Sequence, residues 1–229
     1  KTYTQLCRER RVDGAIIQGI KKEDLYLKEV VESDIPCVLV DIPVHSNSVG
    51  YVTTDNALGA KKAVEHLAGL GHQHIGMING HEDAFVSQER LNGYREALKE
   101  CGLSFRSEWV VSGNFEEKKA EKAARELLNR HKEVTAIFCA SDLMALGALK
   151  ACKELGLDVP KDISIVGYDN IVLASYSSPN LTTVGQEVYQ IGYEAADLLI
   201  EMLEGKETNM ERYLDTKLII RESTAKNHG

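Results

Sequence analysis

The sequence lacks any apolar run close to the roughly twenty residues that a membrane-spanning helix needs. It also lacks an excess of positive charge, because 27 Lys and Arg residues stand against 35 Asp and Glu residues, a formal net charge of −8. That charge repels phosphate backbones, so this polypeptide alone is not expected to bind DNA. Its 43% apolar content is enough to fill the core of one large or two small domains.

Cysteine is scarce and scattered. The five cysteines lie far apart, and no pair has the CxxC spacing of a zinc or redox site. Several stand in apolar runs, such as Cys139 within residues 136–140, which indicates buried, reduced thiols and a cytoplasmic protein. His72 and His74 are two residues apart beside a predicted strand, where side chains alternate in direction. We therefore predict no metal site and no cofactor.

Sequence motifs of common enzymes on parallel sheets are also missing. No GxGxxG follows the first available strand, and neither GxxxxGK[ST] nor GxSxG occurs. Asp41 and Asp169 could still serve as paired carboxylates in glycoside hydrolysis. That hypothesis remains as the enzymatic alternative, although we expect a protein that is not an enzyme.

What the sequence does contain is a regular alternation. Apolar runs rich in Val and Ile alternate with amphipathic, Lys- and Glu-rich stretches, which is typical of parallel sheets covered by helices. The predicted strands are residues 14–18, 37–42, 74–79, 109–112, 136–140, 164–169 and 217–221, with a further candidate at 49–53. The predicted helices are residues 22–33, 56–70, 88–100, 116–131, 143–155 and 188–203.

The C-terminal ends of the predicted helices are marked in the sequence. Several predicted helices stop just before a glycine, such as Gly71 and Gly156, which predicts left-handed helix caps.

The beginning of the chain is also informative. Residues 1–11 are predicted to form a charged helical segment that leads directly into the first strand. We therefore expect the chain to begin partway through a fold.

The positions that follow the predicted strands are unusually polar. Ligands of open parallel sheets bind beyond the carboxyl ends of the strands, so these positions are candidates for a binding site. Arg90 lies near the start of a helix that follows such a strand. The polar strand ends are Asp41, Asn79 to His81, Gly113 to Phe115, Ser141 with Asp142, and Asp169 with Asn170.

Six sequence runs resemble the effector domain of the lactose/galactose repressor family of bacterial transcription regulators. They appear in the family's order and spacing, and together they cover nearly the whole chain. The runs are EHLAGLGH at 65–72, RLNGY at 90–94, SDLMALG at 141–147, the segment from VP at 159 to VGYD at 166–169, LTTV at 181–184 and LIIREST at 218–224.

The resemblance implies an α/β, two-lobed, periplasmic-binding-protein-like fold in which each lobe is a parallel sheet flanked by helices. Residues 1–53 plus 187–209 would form an N-terminal lobe that lacks its first strands. Residues 54–186 plus 210–229 would form the C-terminal lobe. The family binds a small effector between the lobes, and lobe closure changes the geometry of a dimer that carries DNA-binding headpieces.

Arg90 and Asp169 match ligand-binding residues of the family. A planar guanidinium holds adjacent oxygens through two parallel hydrogen bonds, and a carboxylate accepts bonds from ligand hydroxyls. Taken without the motif, Arg90 is more often part of a surface ion pair, and Asp169 is equally well explained as a loop aspartate that accepts from local backbone amides. With the motif, both are predicted to bind the effector.

Four further residues occupy positions that correspond to the family's effector site. Phe115 aligns with an aromatic platform, although aromatic residues near helix starts are more often core. Asp41 aligns with a cleft aspartate of the other lobe, or is a turn former before Pro43. Gln186 matches a glutamine near the hinge. Ser141 departs from the family's common Asn, and its alternative role is to cap the helix at 143–155.

The resulting hypothesis is a ligand-sensing domain of a transcription regulator. We expect a sugar or similar small polar effector, contact with operator DNA only through a headpiece absent from this chain, and a homodimer formed by apolar positions of residues 143–155. A periplasmic sugar-binding protein of a transporter is the alternative. The LTTV and IREST runs and the scattered cysteines favour the regulator.

Overall fold

The computed structural model describes residues 1–19, 24–43 and 49–227. The chain divides into two compact units. The first unit comprises Lys1–Asp55, Asp83–Phe85 and Glu187–Asp215, and the second unit comprises Asn56–Glu82, Val86–Gln186 and Thr216–Gly229. Each unit contains a largely parallel sheet with helices packed against it, which confirms the predicted α/β class. Among the helices within the described ranges, none has the length and apolarity to cross a membrane.

The strands and helices follow one another along the chain with short connections. The strands are β1 Ala15–Gln18, β2 Cys37–Val40, β3 Val49–Thr54, β4 Ile75–Asn79, β5 Val110–Ser112, β6 Ala136–Cys139, β7 Ser164–Asp169, β8 Thr182–Gly185, β9 Glu211–Leu214 and β10 Lys217–Ile219. The helices are α1 Tyr3–Arg10, α2 Leu25–Val31, α3 Asn56–Gly69, α4 Phe85–Glu100, α5 Glu117–Arg130, α6 Asp142–Glu154 and α7 Val188–Leu203.

The first unit is built on a four-stranded sheet of order β1-β2-β3-β9, in which all strand pairs are parallel. Every residue of β2 and β3 is buried, because apolar side chains cover both faces of these central strands. Leu39 belongs to a cluster with Val30 of α2, whereas Val38 packs in a second cluster with Leu198 of α7. The start of the predicted helix 22–33 falls outside the described residues.

The second unit is built on a six-stranded sheet of order β10-β8-β7-β6-β4-β5. The pairs are parallel except for β10, which runs antiparallel to β8. The central strands β4 and β6 are buried along their whole length, as expected for continuous apolar runs between layers of helices. The carboxyl ends of β4 to β8 therefore share one edge of the sheet.

Two strands were not among the sequence predictions. Strand β8 is short and Thr-rich, and its buried Thr182 and Thr183 depend on tertiary hydrogen bonds that they donate to Ser223 and Asp142. Strand β9 has the charged sequence ERYL and joins the sheet by pairing with β3. Neither segment has the apolar run or the alternation that predicts a strand.

Several predicted boundaries were also shifted. Strand β2 ends at Val40 and not at residue 42, because Asp41 has a φ of 63° and leaves the extended conformation. Helix α4 begins at Phe85, three residues before its predicted start at 88, so Arg90 lies in its second turn. The predicted left-handed caps are confirmed, with φ of 88° at Gly71 and 72° at Gly156.

His72 holds the C-terminal segment against the sheet of the second unit through hydrogen bonds. Its buried ring has Nδ1 2.9 Å from Thr135 Oγ1, and Nε2 3.0 Å from Ser164 Oγ and 3.1 Å from the Ala225 carbonyl oxygen. The Ala225 oxygen can only accept, so the neutral ring carries its proton on Nε2. Burial lowers the pKa of His72 below its usual 6.5. The residue is therefore a structural, uncharged histidine.

The lowered pKa of His72 predicts a loss of stability in mild acid. Below about pH 6.5 the unfolded chain takes up a proton that the folded state resists, so the free energy of unfolding falls as the pH drops. His72→Gln is expected to reduce this slope, whatever its effect on absolute stability. Urea denaturation of both proteins in mildly acidic and mildly alkaline buffer measures it, and equal slopes would contradict the assignment.

Close contact between α5 and α6 depends on Gly147. A Cβ at this position would overlap the Glu117 carbonyl oxygen and lie 2.9 Å from the Glu121 amide nitrogen, both on the α5 backbone. Gly147→Ala is therefore expected to destabilise the protein by about 1–3 kcal/mol through overpacking. Gly69→Ala is the control, since nothing lies within 4 Å of its added carbon. Equal midpoints of denaturant unfolding for the two variants would refute this account.

Candidate functional site

Five candidate residues lie around the carboxyl edge of the sheet of the second unit. Phe115 follows β5, Ser141 follows β6, Asp169 ends β7 and Gln186 follows β8. Arg90 comes from α4, the helix after β4. Parallel pairing brings these strand ends to the same edge, where ligands of such sheets bind.

Arg90 is the most enclosed of these residues. It is 3% exposed, and its Nε donates to Asn56 Oδ1 at 2.9 Å while Nη1 donates to the Ala140 carbonyl oxygen at 2.5 Å. Its guanidinium carbon lies 3.7 Å from the ring centroid of Tyr168, and Nη1 lies 3.6 Å from Asp169 Oδ1. Acceptors, an aromatic face and a carboxylate thus compensate a buried positive charge.

The position of Arg90 depends on close packing of α4 against α3. A Cβ on Gly93 would overlap the carbonyl oxygen of Ala57, so only glycine allows the two backbones to approach this closely. Asn56, the first residue of α3, is thereby brought within reach of Arg90. Within the described residues, the hydrogen bonds of Arg90 use its Nε and Nη1 atoms.

Asp169 lies in a turn with unusual backbone geometry. Its φ is 107° and that of Asn170 is 57°, a conformation that non-glycine residues rarely adopt. Arg221 donates from Nη2 to Asn170 Oδ1 at 2.7 Å, which helps to hold the turn. Gln186 donates from Nε2 to Asp169 Oδ1 at 2.7 Å, so two predicted site residues are in direct contact. The Asp169 side chain is 27% exposed and can still accept from a ligand.

Phe115 also lies in a left-handed segment, with φ of 59° after a φ of 51° at Asn114. Its ring covers Gly80, where any Cβ would overlap the ring. Ser112 links the loop after β4 to the loop after β5, because its hydroxyl lies 3.1 Å from the Gly80 carbonyl oxygen and 2.7 Å from Asn114 Oδ1. The ring is half-buried and packs partly against the core, so the sequence alternative of a core role holds for part of its surface. Its role as a ligand platform stays a prediction.

Ser141 has the alternative role that its sequence position suggested. Its Oγ accepts from the Met144 backbone N–H at 3.2 Å, which makes it the N-cap of α6. The residue is only 5% exposed. Contact with a ligand therefore stays a prediction for Ser141.

Asp41 belongs to the first unit. It follows β2 with a φ of 63°, and its Oδ1 accepts from the Thr53 hydroxyl at 2.8 Å. The backbone N–H of Asp41 also donates to the Val52 carbonyl oxygen. Asp41 is thus anchored to β3 at the carboxyl end of its own sheet, a position of the same kind as that of Asp169.

A cavity of about 450 Å³ opens at the β5 side of the second unit's carboxyl edge. Its lining includes Asn79, Gly80, Leu91, Ser112 and Asn114. Arg90 and Asp169 are not among its lining residues, because they lie farther along the edge, towards β6 and β7. Within the described residues, no group of three His, Cys, Asp or Glu side chains could hold a metal ion.

Two residues in contact with Arg90 were not identified from the sequence. Asn56 resembled an ordinary helix-start residue, and Tyr168 was quoted only as part of the VGYD run. Asp142 was named from the sequence only as a polar residue after a strand, and its side chain is fully buried. A buried Arg needs nearby acceptors, which is the one signal that could have pointed to Asn56.

Comparison with known proteins gives a consistent result. Residues 64–224 match the sequence profile of the periplasmic binding protein-like domain family. The chain is 34% identical over 229 residues to the transcriptional repressor PurR of Vibrio vulnificus, covering 99% of this chain and 68% of that protein. It is 37% identical over 225 residues to the repressor CytR of Escherichia coli, covering 98% of this chain and 66% of CytR.

Solved structures support the same relationship. The transcriptional regulator CelR, in complex with cellobiose, superimposes with a TM-score of 0.90 at 35% identity, covering 96% of this chain and 68% of CelR. The chain thus spans about two thirds of the length of its relatives. Because the relatives are regulators, the match favours a regulator domain over the periplasmic transport protein. The chain belongs to the lactose/galactose repressor (LacI/GalR) family of transcription regulators and corresponds to the family's periplasmic binding protein-like, effector-binding domain.

Proposed function

We propose that this domain binds a sugar or similar small polar effector at the carboxyl edge of the second unit's sheet. The observation that carries the proposal is the buried Arg90, whose guanidinium lies beside the partly exposed carboxylate of Asp169. A donor beside an acceptor suits a polyol, whose hydroxyls both donate and accept. The half-buried Phe115 ring offers an apolar surface for the C–H face of a sugar.

Left-handed backbone at the site supports the same proposal. Asp169 and Phe115 both have positive φ, which costs free energy and is found preferentially at binding sites. Gln186 donates a hydrogen bond to one oxygen of Asp169. The carboxylate therefore has fewer conformations to lose when a ligand binds. The relative CelR is described with bound cellobiose, so a sugar is the first class to test.

In this proposal the domain is a cytoplasmic binding module and not an enzyme. Effector binding would change the affinity for operator DNA through a headpiece outside this chain. The net charge of −8 supports a separate DNA-binding module, because this domain repels phosphate. The glycosidase alternative predicts product release from a glycoside, and chromatography after incubation with cellobiose would detect it.

Effector binding can be tested with a thermal-shift screen of cellobiose, other sugars, sugar phosphates and nucleosides, since a ligand of the folded state raises the melting temperature. Arg90→Lys keeps the charge but loses the planar guanidinium, so it is expected to weaken binding roughly 10- to 150-fold, the equivalent of one hydrogen bond to a charged group. Calorimetry with the compound that gives the largest shift measures the loss.

The control for this prediction is Arg130→Ala, which removes an exposed arginine at the end of α5 and should leave the affinity unchanged. Circular dichroism would confirm that both variants fold. Unchanged affinity in Arg90→Lys would refute the site, and the absence of any stabilising compound would refute the ligand class.

A homodimer is also part of the proposal, but not through the predicted surface. Apolar residues of α6 such as Ala145 and Ala148 are buried in the core of the second unit, and Leu143 alone among the large apolar side chains of α6 is exposed. The 3-10 helix Val172–Ser175 instead presents an apolar cluster, with Val172 74%, Leu173 55% and Tyr176 80% exposed. Neighbouring exposed apolar side chains of this size mark an association surface.

The dimer prediction is tested by placing a charge on this cluster. Val172→Glu is expected to shift the protein towards monomer, because two copies related by a twofold axis would bring the new charges together. Leu143→Glu adds the same charge on α6 and should leave the dimer intact. Sedimentation velocity measures both, and a sedimentation coefficient unchanged by Val172→Glu would show that the cluster is not the interface.

A further inference from the structure

Asp142 is a buried carboxylate that connects three parts of the second unit. It is fully buried at the start of α6. Its Oδ1 accepts from the Thr183 hydroxyl of β8 at 2.6 Å, and its Oδ2 accepts from the Ile171 backbone N–H at 2.8 Å. Ile171 directly follows the left-handed pair Asp169 and Asn170. The carboxylate of Asp142 thus contacts the turn that carries a candidate effector ligand.

The sheet makes room for this carboxylate. A Cβ on Gly167 of β7 would overlap Asp142 Oδ1, so glycine allows the carboxyl group to lie against the strand backbone. Two further side-chain bonds hold the turn after β7, from Arg221 to Asn170 Oδ1 and from Gln186 to Asp169 Oδ1. Because Asp169 has a φ of 107°, its turn needs such bonds to persist in a rarely populated conformation.

We propose that Asp142 is a positioning residue for the effector site, which holds the Asp169–Ile171 turn when it is ionised and loosens it when it is protonated. An ionised carboxylate accepts the Ile171 N–H more strongly than a neutral carboxyl group does. A protonated Asp142 must also donate its own hydrogen, which changes the bonds available to Thr183. The consequence for effector binding rests on the proposed function, whereas the coupling of Asp142 to the turn is a property of the ligand-free protein.

Burial, more than the charged surroundings, places this change near neutral pH. Burial raises the pKa of Asp142 to about 7, the bonds from Thr183 and Ile171 oppose that rise, the negative Asp169 adds to it and the positive Arg221 opposes it. The thiol of Cys139 also lies close enough for its pKa to be affected by Asp142. As the pH rises through about 7, Asp142 loses its proton and the turn becomes fixed, so effector affinity is expected to increase.

Nuclear magnetic resonance of the ligand-free domain tests the coupling directly. The Ile171 backbone amide reports the bond to Asp142, and the Gln186 side-chain amide reports the position of Asp169. Both resonances are expected to titrate with one common midpoint near pH 7. Asp142→Asn should abolish this titration. Asp158→Asn, an exposed aspartate of the same unit, should preserve it.

Thr183→Val provides a second, directional test that keeps the side-chain volume. Loss of the hydroxyl removes a donor to the ionised form, so the common midpoint should move to higher pH. A dispersed backbone spectrum shows that the variant is folded. A titration that persists in Asp142→Asn, or a midpoint that does not rise in Thr183→Val, would overturn the proposal. If Ile171 titrates and Gln186 does not, the positioning of Asp169 is refuted, whatever the ligand screen finds.

Discussion

An arginine that is 3% exposed must find the partners of its charge inside the protein, because an unpaired buried charge costs several kcal/mol. Arg90 finds them on three different elements: the start of α3, the end of β6 and the aromatic ring of Tyr168 on β7. The carboxyl edge of the second unit can form only if these elements meet. The requirement for acceptors around one side chain therefore couples the packing of the sheet to the geometry of the candidate site.

Close backbone approach makes this arrangement possible. Gly93 lets α4 contact α3, and Gly167 lets a carboxylate lie against β7. Asp169 and Phe115 have positive φ angles, and contacts with neighbouring residues hold both in these conformations. Backbone strain at the edge is thus supported by dense packing below it, which is the usual condition for strained residues in binding sites.

Comparing the predicted and observed roles of individual residues shows why some features of the site could be predicted from the sequence. Arg90 and Asp169 stand in recognisable runs, and the structure places them with Gln186 around one edge of the sheet. Ser141 was open to two interpretations, and only the 3.2 Å bond to Met144 shows that it caps α6. Asp142 was recognised only as a polar residue after a strand, since nothing in its local sequence shows that Thr183 and Ile171 would enclose it.

The sequence by itself determined the alternation of strands and helices, the parallel sheets and the family, because local apolar periodicity and short motifs are properties of neighbouring residues. Only the tertiary structure decided the weak strands β8 and β9, the burial of α6, and the exposure of Val172 and Tyr176. These features depend on partners distant in the chain. The same reason separates Arg90, whose motif could be recognised, from Asn56 and Tyr168, whose contacts with Arg90 exist only in the folded chain.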